Sequence, residues 1–105
     1  MKTIITATGN KPESQFDLRF GRAGWFCVLD EDSGSIEFHE NEFKDLQHGA
    51  GMKVVEKIAG LGAGKVVSGD FGPRAKELLE TLNIQMVVLQ DEGLKVGQLI
   101  EKIRN

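Results

Sequence analysis

The sequence has a single cysteine, Cys27, so no internal disulfide can form. With no CxxC pair and only two histidines, a closed structural zinc site has no support. Two prolines, no low-complexity tract and no internal repeat leave nothing that reads as a linker, so one domain over residues 1–105 is expected. Nor is there a positive excess. Thirteen Lys and Arg against 16 Asp and Glu give a net charge of −3. A general nucleic-acid binder needs a basic surface for phosphate contacts, and this chain does not offer one. No apolar run approaches the roughly 20 residues of a membrane helix, and no signal-type apolar stretch follows Met1-Lys2. A cytoplasmic location without membrane contact is the expectation.

What is present suits a compact domain: 40% of residues are hydrophobic and 28% charged. The organising stretch is KVVSGDFGPRAKELLETL, Lys65 to Leu82. A β-branched run, Lys65 to Ser68, meets a turn with Gly69, Asp70 and Gly72, and a helix begins at Pro73, where a missing N–H costs nothing. Ala75, Leu78, Leu79 and Leu82 then recur at helical spacing. In such a unit a ligand sits beyond the carboxyl end of the strand, where free helix N–H groups favour an anion.

The remaining elements follow the same logic. Thr3 to Thr8 suits a strand buried on both faces. Gly9 to Gly24, about 16 residues long, reads as a functional loop pinned by Phe16 and Phe20. Trp25 to Leu29 is a second strand, Asp30 to Ser35 a hairpin turn, and Ile36 to His39 a half-wet edge strand. After Asn41 to Gln47, the HGAGM of His48 to Met52 opens a helix carrying Val54, Val55, Ile58 and Leu61, stopped by Gly60, Gly62 and Gly64. Ile84 to Leu89 is a fifth strand. A turn at Asp91 to Gly93 leads to a last helix with Val96, Leu99, Ile100 and Ile103 on one stripe. The order β β β α β α β α, with right-handed crossovers, predicts an α/β fold with a five-stranded mixed sheet of order 3-2-1-4-5 and strand 2 antiparallel.

Three segments carry candidate chemistry. In FDLRFGRA, Phe16 to Ala23, Arg19 and Arg22 can form a fork for an oxyanion; equally, Asp17 can pair with one of them and fasten the loop. His48 precedes Gly49-Ala50-Gly51 at a helix start, where the dipole favours a neutral imidazole that ligates metal or hydrogen-bonds an anion; an exposed loop histidine is the plain alternative. Asp70 either caps the following helix or faces the same cleft as His48. Cys27 reads as a core thiol and His39 as solvated.

FDLRFGRA, HGAG and SGDFGPRA, in this order and with Asn41 between them, resemble the dinitrogenase iron-molybdenum cofactor biosynthesis family, the small relatives of the nitrogenase X and Y proteins. The resemblance covers nearly the whole chain. It implies a ribonuclease H-like three-layer fold and a non-catalytic protein that transiently binds the iron-molybdenum cofactor or its iron–sulfur precursor. Metallocluster donor or acceptor proteins are then its partners, and the chain is a monomer or weak homodimer. On that reading Arg19, Arg22, His48, Gly49, Gly51, Asp70 and Gly72 contact the cluster, with His48 as the candidate metal ligand.

Two other functional classes compete with this one. A regulatory or interaction domain binding a nucleotide or organic acid would use the same arginines. A ribonuclease H-like nuclease needs clustered carboxylates including one on the first strand, and Lys2 to Thr8 has no acid; Asp70 and Glu56 alone do not rebuild such a site.

Overall fold

The computed structural model describes residues 1–104. Five strands, β1 (Lys2–Ala7), β2 (Trp25–Asp30), β3 (Ile36–Glu40), β4 (Ala63–Ser68) and β5 (Gln85–Val88), join three helices, α1 (Ala50–Gly60), α2 (Pro73–Thr81) and α3 (Val96–Arg104). The sheet order is β3-β2-β1-β4-β5, as the connectivity predicted. β2 is antiparallel to β1 and β3, while β4 runs parallel to both β1 and β5.

The pleat sorts the core into two layers. Ile4, Phe26, Val28 and Val66 point to one face and pack with Val54, Val55 and Ile58 of α1 and Ala75 and Leu79 of α2. Ile5, Cys27, Leu29 and Val67 point to the other face, against Val96, Leu99 and Ile100 of α3. Every residue of β1 from Thr3 to Ala7 is buried, as expected of a central strand covered on both sides. The polar members of that strand are satisfied internally, since the Thr6 hydroxyl donates to the Asp17 carbonyl at 2.6 Å.

Boundaries shift where glycine does more than end a helix. Gly62 takes a left-handed φ of +88°, the conformation a chain leaving a helix favours. Gly64 lies inside β4 rather than in the stop signal, because the strand begins at Ala63. A Cβ there would stand 2.8 Å from the Met1 side chain. Leu82 sits at the C-terminal cap of α2 and is exposed, one position beyond the buried stripe. His39 is half-buried rather than solvated, with its Nε2 3.6 Å from Glu37.

The topology collects the connections at one rim. β1, β3 and β4 run in the same sense, so the loop after β1, the segment from β3 to α1 and the Gly69–Gly72 turn all leave the sheet at its carboxyl edge. The loop is pinned on both faces, with Phe16 in one core layer and Phe20 in the other. Phe20 packs on Phe71 with ring centroids 5.0 Å apart.

Candidate functional site

The loop between β1 and β2 is built on a buried carboxylate. Asp17 accepts N–H bonds from the backbone of Arg19 at 3.0 Å and of Gly24 at 3.3 Å. It also receives the Arg19 guanidinium through Nε and Nη2, both at 3.1 Å. These bonds hold the charged form of Arg19 more firmly still, raising its pKa. Of the two readings of FDLRFGRA, fastening by Asp17 therefore describes Arg19.

Arg22 points the other way. It donates to the carbonyls of Lys44 at 2.7 Å, Gln47 at 3.5 Å and Leu46. A return stitch comes from Asn41, fully buried at the end of β3, whose Nδ2 donates to the carbonyls of Gly21 at 2.9 Å and Ala23 at 2.8 Å. Its Oδ1 accepts from the Phe43 N–H at 3.0 Å, and its own N–H donates to the Gly24 carbonyl at 3.0 Å. Two loops distant in sequence are thus held as one surface.

That surface abuts two helix starts. A Cβ on Gly21 would fall 2.9 Å from the Gly51 nitrogen, so only glycine lets the loop lie this close to the first turn of α1. Gly51 in turn lies 3.5 Å, measured from the same ideal position, from the Ala75 methyl of α2. The N-cap of α1 is Gly49 at φ 77°, and that of α2 is Gly72; neither helix has a side-chain cap or an acid in its first turn. Asp70 is not the cap of α2. The residue immediately before Pro73 is Gly72, which takes the cap position in an extended conformation and leaves the Asp70 side chain facing outward.

Between these elements lies a cleft of about 700 Å³ lined by Phe20, Gly21, Arg22, His48, Gly49, Gly51, Asp70, Gly72 and Arg74. Six of the seven residues singled out in the sequence meet there. The seventh, Arg19, opens instead onto an adjoining depression of about 400 Å³ with Lys44 and Asp45, and Arg22 stands on the ridge between the two. Arg74 and Asn41 had no assigned role in the sequence. A cation in the first turn of α2 with no acid beside it was the legible signal for Arg74; for Asn41 the signal exists only in three dimensions.

The lining offers free helix N–H groups, the Arg74 guanidinium and one exposed imidazole, donors that suit an anion bound reversibly, set against a single carboxylate, that of Asp70. Among the described residues no group of three or more His, Cys, Asp or Glu side chains is placed to hold a metal ion.

Fold and site together define a ribonuclease H-like α/β domain with a polar cleft at the carboxyl rim of its sheet. Within that class the chain belongs to the dinitrogenase iron-molybdenum cofactor family, which it matches over residues 1–105. It is similar to the orange protein of Desulfovibrio gigas, solved in its apo form: identity 33%, TM-score 0.89, covering 97% of this chain and 85% of that one. It also resembles a NifB-like protein of the DUF35 family from Thermotoga, with 30% identity, a TM-score of 0.80 and coverage of 97% and 85%. No curated protein sequence matches the chain. No helix of the described residues is long and apolar enough to cross a membrane.

Proposed function

We propose that this protein is a non-catalytic carrier, a single binding domain that holds an anionic iron–sulfur or iron-molybdenum cluster, or its precursor, in the rim cleft and passes it between partner proteins in the cytoplasm. The observation that carries this reading is the convergence of two helix N-termini without side-chain caps, an imidazole and arginines on one open cleft. A bulky anion meets outward-facing N–H groups and positive charge there, while His48 is available as an exchangeable ligand to a metal of the cargo. Contacts of this kind release their ligand more readily than a set of cysteine thiolates would, which fits delivery. Membership of the iron-molybdenum cofactor family supports a metallocluster as the class of cargo.

The test is anaerobic mixing with isolated iron-molybdenum cofactor or its precursor, followed by gel filtration and metal analysis. Iron is expected to co-elute with the wild-type protein and to be reduced for His48→Ala. Iron that elutes wholly apart from the wild-type protein would sink the carrier reading. A site that bound a nucleotide or organic acid through the arginines would tolerate the His48 substitution.

A further inference from the structure

We propose that Arg74 is the cationic contact for an anion in the rim cleft and that Arg22 is a positioning residue that does not touch it; the assignment rests on the anion-binding reading of that cleft. Arg22 is already committed. Its guanidinium reaches the carbonyls of Lys44, Leu46 and Gln47, so its planar fork of donors shapes the segment that presents His48. Arg19 is closed on Asp17 and opens to the neighbouring depression. Of the three arginines near this rim, only Arg74 makes no side-chain hydrogen bond or ion pair among the described residues.

Its position also breaks a local rule. Arg74 is the second residue of α2, at the positive end of the helix dipole, and no acid in the first turn offsets it. A cation there is disfavoured in the free protein and is relieved when an anion enters. Departures of this kind from local preference concentrate at functional positions. Because α1 and α2 begin side by side, with Gly51 against Ala75, Arg74 shares its cleft with the outward amides of both helices.

The experiment titrates the 15N-labelled protein with sulfate at constant ionic strength, following the amides of residues 49–52 and 72–75 (Pro73 excepted) by NMR. Arg74→Ala is expected to weaken sulfate binding about tenfold and Arg74→Lys, which keeps the charge, by about threefold or less. Arg22→Lys should lose as much affinity as Arg22→Ala, since one ammonium nitrogen cannot span the carbonyls that Nη1 and Nη2 reach from separate positions, and both should speed hydrogen exchange across residues 43–49.

Full affinity in Arg74→Ala, rescue of Arg22→Ala by Arg22→Lys, or no sulfate-dependent shift at these amides would each overturn the assignment. If the Arg22 variants do not fold, the two Arg74 variants decide it. Sulfate binding in the expected order without co-elution of the cofactor would remove the carrier reading and leave this assignment standing. Cofactor co-elution undiminished by Arg74→Ala would do the reverse.

Discussion

Buried at the end of β3, the Asn41 carboxamide bonds two carbonyls and one N–H of the loops that build the cleft. Asn41→Ala would leave those groups unpaired, at a cost of about 2 to 3 kcal/mol in urea unfolding. Asn41→Asp keeps the acceptor but sets a buried carboxylate oxygen against the Gly21 and Ala23 carbonyls, and so should recover none of the loss at neutral pH. Cys27 gives a second prediction at this scale. Burial in the core between β2 and α3 pushes its thiol up to about 12, against 9.0 for an exposed one. The unfolded chain therefore releases this proton above about pH 9 while the folded chain keeps it. Stability from this group is complete below pH 9 and lost as pH rises towards 12. Cys27→Ala should flatten that alkaline decline in unfolding curves at pH 8 and pH 10.5, and the wild-type thiol should resist alkylation until the protein unfolds.

Elements were the most legible level, because periodicity is a local property. The 0, 3, 4, 7 stripe of Val96, Leu99, Ile100 and Ile103 is readable without knowing what it faces, and so is the Pro73 start of α2. Legibility failed where an element's end depends on its surroundings. β4 begins at Ala63 because Lys2 pairs with it, which no window around residue 63 contains. The hairpin turn between β2 and β3 illustrates a local device with a measurable output. Asp30 accepts the N–H groups of Asp32 at 3.0 Å and Ser33 at 3.4 Å, and these bonds lower its pKa. A depressed folded-state value means stability that is present above the unfolded value of 3.8 and lost as pH falls through the folded one. Asp30→Asn should shallow the acid limb of the stability curve below about pH 4 and leave neutral stability little changed, since the carboxylate is exposed.

At the scale of the whole molecule, the site is a consequence of strand direction. Because β3 and β4 run parallel to β1, the FGRA loop, the His48 segment and the Gly69–Gly72 turn, separated by up to about 50 residues, must reach the same rim. The sequence therefore disclosed which segments meet. It did not disclose which donors each leaves free, since whether Arg19 turns to Asp17 or to a ligand depends on a few ångströms of loop geometry. A cleft assembled from three distant segments exists only when all are folded, so binding of the proposed cargo would be linked to folding. At a free cofactor concentration about 100 times its dissociation constant, binding to the native state alone adds about 2.7 kcal/mol. For a domain of this length that corresponds to a rise in melting temperature of roughly 10 to 20 °C. An anaerobic thermal melt with and without the iron-molybdenum cofactor reads this directly. The rise should shrink for His48→Ala and for Asn41→Ala, whose loops no longer hold the cleft together. A melting temperature that the cofactor leaves unmoved at saturating concentration would show that the native fold gains nothing from the proposed cargo.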